Sequence, residues 1–305
     1  MNISDLATQL AEWQLPSGAF LSTITSARGT QLDDNGFVTA LVLRELRHFS
    51  TVVELDSVRH RALTFIESCV SQEMPNAYGF WPAKVRPSWA IQVPADADDT
   101  AIMAVELARY GRLNQRDLLQ IICRILLKHR VTHHSPISPQ WIVPGSFLTW
   151  LTDDFQRANV IDCCVNANVL GLMAFANATH LPGYQEACRL IESGLDWAGD
   201  SLPKLRSLIP FYPRLHEFYC AVQHAVECGA IALQPALERL KMAVNLDIPY
   251  LKYTKNQSIQ EAPVYTCKRS QKGINIVPDY PVCSSAYHTV VWHCPALAIV
   301  HQSFL

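Results

Sequence analysis

The chain is 305 residues long and nearly half apolar, enough to enclose a large core. Its 25 basic and 27 acidic residues leave a formal charge of −2, and the basic residues do not cluster, which excludes a general nucleic-acid binder. No apolar run is long enough to span a bilayer, the start lacks a signal-peptide pattern, and ten cysteines without a Cys-x-x-Cys pair read as thiols of a reduced, cytoplasmic protein.

Taken in chain order, residues 2–14 have the spacing of an amphipathic helix, and the turn Gly18-Ala19-Phe20 follows. Asp33-Asp34-Asn35-Gly36-Phe37 then opens an apolar helix through Val38–Leu43. The pattern recurs: an amphipathic helix over 55–71, the turn Gly79-Phe80-Trp81, an acidic start at Asp96, and an apolar helix through Ala101–Ala108. A third copy has an amphipathic helix over 114–130, Gly145-Ser146-Phe147, a start at Asp162, and an apolar helix through Val169–Phe175. Weaker copies run from 182–199 through Phe211-Tyr212-Pro213 into 214–228, and from 234–246 through Gly273 to a helix opening at Ser284-Ser285. Residues 250–283 form a loop long enough to cover a cavity. Strands are scarce; Gln140–Val143 is at most a short one.

The period is about 60 to 66 residues and fills the chain. Amphipathic helices are half-exposed, whereas helices apolar on most sides are buried all round. Their alternation predicts an all-α fold: one domain over 1–305, an α/α toroid of about five to six outer and inner helix pairs. Inner helices that run parallel bring their N-termini to one mouth, gathering Asp33, Asp96, Asp98, Asp99, Asp162, Asn166, Tyr212, Arg214, Tyr287 and His288. The turns supply Phe20, Phe80, Trp81, Phe147 and Trp150, with Trp89 nearby, as an aromatic lining for a small apolar substrate.

Chemistry concentrates at Asp96-Ala97-Asp98-Asp99, three carboxylates in four positions. Carboxylates this close do not all ionise cheaply, and one that keeps its proton beside an apolar wall is a general acid. The alternative is an acidic N-cap cluster. Asn166, with Asn168 beyond it, is unusual in an apolar helix and points to a buried polar network or a ligand contact. Arg214 suits a diphosphate or carboxylate, or a role in neutralising the aspartates.

These residues resemble a known superfamily. Asp96-Ala97-Asp98-Asp99-Thr100-Ala101 is similar to the Asp-x-Asp-Asp motif of class II terpene cyclases, the squalene–hopene cyclase group, whose domains are α/α toroids. The resemblance implies that Asp98 protonates an alkene or epoxide, with Asp96 and Asp99 tuning it and aromatic faces stabilising the cation. It implies no resident cofactor, with Mg²⁺ accompanying a prenyl diphosphate substrate. It also implies a second toroid or a homodimer partner, because that group usually builds its site between two toroids. Asp162-Cys163-Cys164 and Tyr287-His288-Thr289 resemble pieces of protein prenyltransferase β subunits, which implies an alternative Zn²⁺ set of Asp162, Cys164 and His288. A non-catalytic ligand-binding or scaffold toroid is the third alternative.

Overall fold

The computed structural model describes residues 3–26, 29–86, 93–132, 138–152, 159–212, 214–247, 263–270 and 287–302. In order these form α1 (Ile3–Glu12), β1 (Ser22–Ser26), β2 (Gly29–Asp33), α2 (Gly36–Leu46), α3 (Asp56–Glu67), α4 (Ala97–Arg109), α5 (Gln115–Arg124) and α6 (Cys163–Phe175). They continue as α7 (Tyr184–Ala198), α8 (Leu202–Ser207), α9 (Leu215–Glu227), α10 (Gln234–Asp247), β3 (Pro263–Ser270), β4 (Tyr287–His293) and α11 (Pro295–Gln302).

Among the described residues the main body is all-α: an α/α toroid with five inner and five outer helices. α11, α2, α4, α6 and α9 lie side by side in that order as the inner layer. α1, α3, α5, α7 and α10 pack outside them. The apolar pattern explains the two layers. Every residue of α2 is buried, as are Ala97–Leu107 of α4 and Cys163–Ala174 of α6. In α5 only Leu118, Ile121 and Ile122 are buried, one stripe at helical spacing. Each such side chain contributes about 1.5–3 kcal/mol when fully buried.

Three units share one joint. A residue just past each outer helix (Gln14, Val70, Arg130) forms an antiparallel bridge with an aromatic residue (Phe20, Tyr78, Phe147). Two residues before each aromatic the backbone is left-handed: Gly18 at φ 96°, Asn76 at 72° and Gly145 at 95°. A Cβ at Gly18 would lie 2.3 Å from the Arg61 carbonyl oxygen, so glycine is required there. The backbone N–H of each aromatic then donates to a side chain one turn into the following inner helix. The acceptors are Thr39 Oγ1 at 3.1 Å, Thr100 Oγ1 at 2.9 Å and Asn166 Oδ1 at 2.9 Å.

A second link ties each unit to the next. The first N–H of an α-helix has no partner inside the helix. Here Gly36 N donates to Phe80 O, Ala97 N to Thr149 O and Cys163 N to Leu208 O, each at 2.8 Å. Each acceptor lies in the segment leading to the next inner helix. The starts of α2, α4 and α6 are thereby held at one pole.

Several sequence expectations are corrected. The second left-handed turn is Asn76-Ala77-Tyr78, three residues before Gly79-Phe80-Trp81. The first inner helix is capped by Asn35, whose Oδ1 accepts from Val38 N at 2.8 Å, while Asp33 ends β2. No helix opens at Tyr287 and His288: the β-branched run through Val290 and Val291 forms β4, and the helix begins at Pro295. β4 pairs antiparallel with β1 and β3, giving a four-stranded sheet in the order β2-β1-β4-β3. Gln140–Val143 is turn and irregular backbone, not a strand. Of residues 250–283, the described part is β3.

Candidate active site

α4 begins where Asp96, in extended backbone, caps the helix; its Oδ1 accepts from Asp99 N at 2.6 Å. Both readings of this motif therefore meet in one place: Asp96 is an N-cap, and it leaves two more carboxylates in the first turn. All three are buried. Burial, and then the charge of Asp98, push the Asp96 carboxyl up to about 7. Asp99 has both carboxylate oxygens enclosed, and burial followed by the charges of Asp96 and Asp98 holds it well above the carboxylate range. A proton on Asp99 makes it a donor to its acidic neighbour, the one role in which two adjacent carboxyls attract.

Asp98 differs in having dedicated donors. Asn168 Nδ2 donates to its Oδ1 at 2.7 Å, and the Tyr212 hydroxyl donates to its Oδ2. Burial raises the Asp98 carboxyl, while these two bonds and the Arg44 guanidinium act against it. The neutral carboxyl is thus favoured by its dry surroundings, while its ionised form meets two donors already in place. Asn168 and Tyr212 come from α6 and from the loop before α9, so three consecutive inner units surround the Asp98 carboxyl.

Asp162 caps α6: Oδ1 accepts from Cys164 N (2.6 Å) and Val165 N (3.3 Å), and Oδ2 from Phe211 N (3.2 Å). Burial, then the charge of Asp98, raises it to about 8 against those three bonds. Its hold on Phe211 fixes the backbone next to Tyr212. Asp162 is thereby linked to Asp98 through Phe211 and Tyr212.

An aromatic wall approaches Asp98. Phe80 lies 4.4 Å from Trp81 and stacks on Phe37 at 5.5 Å, and Phe37 meets the Tyr212 ring edge-on at 6.1 Å. Trp150 bridges Asp96 through its backbone and meets Phe211 edge-on at 5.4 Å. Trp81 is anchored by its Nε1, which donates to Asp33 Oδ1 at 2.8 Å; Asn35 Nδ2 donates to Asp33 Oδ2 at 2.7 Å.

The structure brings together Asp96, Asp98, Asp99, Asp162, Phe80, Trp81, Trp150 and Tyr212. Others from the sequence-based set stand elsewhere. Phe20 and Phe147 are fully enclosed, and a Cβ at Gly183 would lie 2.6 Å from the tip of the Phe147 ring, which points it towards the outer layer. The Asn166 amide is spent on backbone, donating to Phe147 O (3.0 Å) and Asp162 O (2.9 Å). Arg214 pairs with Glu217. Tyr287 and His288 are in β4, with backbone partners Ser270 and Arg269. Trp89 lies outside the described residues.

That placement bears on the zinc alternative. Both Asp162 oxygens are occupied by backbone N–H groups, Cys164 is a buried thiol raised by burial, and His288 is not at a helix start. These residues do not fit a zinc set.

The sequence analysis missed Phe37, Arg44 and Phe211, and noted Asn168 without assigning it a partner. Signals existed for two of them. Asn168 is a poor helix former inside an apolar helix, and Arg44 is an ionic residue in a helix that is otherwise almost wholly apolar.

No protein-family model and no curated protein matches the chain. Among solved structures it is similar to the type II terpene cyclase MstE from Scytonema in its apo form, at 14% identity and TM-score 0.49, covering 98% of this chain and 95% of that one. It is also similar to a complex of a variant of that cyclase with merosterolic acid A, described as product, at 14% identity and TM-score 0.48 over 97% and 93% of the two chains. A third similar structure is a variant's complex with geranylgeranyl dihydroxybenzoate, described as substrate, at 14% identity and TM-score 0.45 over 97% and 93%.

Proposed function

We propose that this protein is a class II terpene cyclase-like enzyme that protonates an alkene or epoxide of a prenyl-type substrate and cyclises it. The observation that carries the reading is Asp98: a buried carboxyl with Tyr212 and Asn168 on its oxygens, at the end of a wall of Phe37, Phe80 and Trp81. The Asp98 O–H proton goes to one alkene carbon, and the π pair becomes the new C–H bond. The cation left on the other carbon is attacked by the next double bond, closing a ring. Aromatic faces stabilise such a cation by about 0.5–2 kcal/mol each. The same buried surroundings that raise the Asp98 carboxyl exclude the water that would quench the cation. The proton is stored on carboxyls, so the protonation needs no resident cofactor, and Mg²⁺ enters only with a diphosphate substrate.

The test is incubation with prenyl diphosphates, squalene and a geranylgeranylated aromatic acid, with products identified by mass spectrometry and NMR. Cyclic products are expected from at least one. Asp98→Asn, which keeps size and the hydrogen-bonding frame, is expected to lower turnover by at least about 10²- to 10⁴-fold with binding retained. Wild-type activity in that variant refutes the assignment and leaves the carboxylates as a capping cluster.

A further inference from the structure

The inner helix α2 carries a cation that its surroundings do not satisfy. Arg44 lies in the last turn of a helix in which every residue is buried, and its side chain is 7% exposed. A guanidinium has five N–H groups. Arg44 uses one of them, Nε, which donates to Glu45 Oε1 at 3.2 Å. Nη1 and Nη2 have no hydrogen-bond partner among the described residues, yet neither is sealed by the protein around it. A buried charge is tolerated when its hydrogen bonds are made. An edge left open on one points to a ligand rather than to a structural role.

Where that edge points follows from α9. On this inner helix His216, Cys220 and Gln223 are half-buried and Glu227 is exposed, one accessible stripe at helical spacing. The stripe is turned towards α2: Arg47 Nε donates to Glu227 Oε2 at 2.9 Å, and Cys220 and Tyr212 are electrostatic neighbours of Arg44. α2 and α9 are separated in the inner layer by α4 and α6, so these contacts reach across the lumen. Arg47 and Glu227 stand at its outer end, and Arg44, three residues back along the chain, lies further in. Tyr212 in turn donates to Asp98, which places the open guanidinium on the side of the acid. Arg214, the cation that the sequence offered for an anionic group, spends Nε and Nη2 on Glu217 instead.

We propose that Arg44 is the head-group site of the substrate: Nη1 and Nη2 grip a carboxylate or phosphate with two parallel N–H bonds, and the prenyl chain runs from there to Asp98. This rests on the cyclase reading above and narrows it to isoprenoids that carry an anion. Asn35 and Asp96 cap α2 and α4 at one pole. Arg44 stands nine residues past its cap and Asp98 two past its own, which sets them about 10 Å apart along the helix axes. The charged end and the reactive end of the substrate are thereby told apart, and it binds one way round.

The test is equilibrium binding to the full chain of farnesoic acid, farnesyl diphosphate and uncharged farnesol. The wild type is expected to bind one of the two anions about thirty-fold or more tighter than farnesol, and the tighter one names the head group. Arg44→Gln is expected to cancel that preference and leave farnesol unchanged. Glu45→Gln, which removes the competing carboxylate, is expected to keep or strengthen it, the opposite of what loosened packing does. No preference in the wild type, or a preference that survives Arg44→Gln, overturns the inference. If Arg44→Gln fails to fold, Glu45→Gln decides alone, and weaker anion binding there overturns it. Should the preference depend on Arg44 while no prenyl substrate is cyclised, the cyclase reading falls and the anion site stands. Should farnesol be bound and cyclised as well as the anions, the site falls and the cyclase reading stands.

Discussion

Replacing Tyr212 with Phe removes one hydroxyl and keeps the ring that meets Phe37 edge-on at 6.1 Å. Asp98 then retains a single donor, Asn168 at 2.7 Å. A hydrogen bond to a charged group is worth about 1.5–3 kcal/mol, and this one favours the ionised form of Asp98. Its loss weakens the acid by about 10- to 150-fold in ionisation constant, of which a part reaches the protonation barrier, giving about 3- to 10-fold slower cyclisation. The sign of the pH effect follows. Activity requires protonated Asp98 and falls as pH rises through its titration, so a weaker acid stays protonated further. Tyr212→Phe should lower the plateau of the pH–rate profile and move its basic limb to higher pH. The assay is kcat/KM against pH with a converted prenyl substrate. A limb that stays in place, or one that moves down, refutes the claim that Tyr212 sets the strength of Asp98.

Two further outcomes follow from the same geometry. Asp96 at about 7, Asp162 at about 8 and the raised Asp99 all bind protons in the folded state that an unfolded chain releases near 3.8. The stability they contribute is full below the unfolded value and is lost as pH rises towards about 7 and 8. Urea unfolding should therefore show stability falling across that window, and Asp162→Asn should flatten the slope by about 1.4 kcal/mol per pH unit; a rise with pH contradicts the assignment. Gly18→Ala, at φ 96° and with its new Cβ 2.3 Å from Arg61 O, should cost about 1–3 kcal/mol or more. Activity per folded molecule should be unchanged, and an undiminished melting temperature removes the steric argument.

The layered helices were legible because their apolar periods differ: α5 shows one stripe, whereas α2 and α6 are apolar on nearly all sides. The joints were legible only where glycine marked them. At the second one the left-handed residue is Asn76, and the nearby Gly79 drew the alignment three positions too far. Asp33 matches Asp96 in residue type and position, yet Asn35 has the same capping chemistry and is the cap. The core of the acid site was less accessible. Tyr212 meets Asp98 across 114 residues of chain, and Asn168 across 70. No local pattern encodes such pairs; they appear only when the ring turns its units towards one another. The sheet escaped notice because β1 and β4, neighbours in space, are separated by most of the chain.

The bonds from Gly36, Ala97 and Cys163 to Phe80, Thr149 and Leu208 set a limit on how the chain can be divided. In an open array of repeats, cutting between units exposes apolar surface but leaves each unit's own hydrogen bonds intact. Here a fragment ending before residue 80, 149 or 208 also strips a buried amide of its acceptor at the start of its last inner helix. Truncated forms should therefore lack a stopping point among the first three units, and those units should be lost together during unfolding, with no shorter folded remnant for a protease to trim back to.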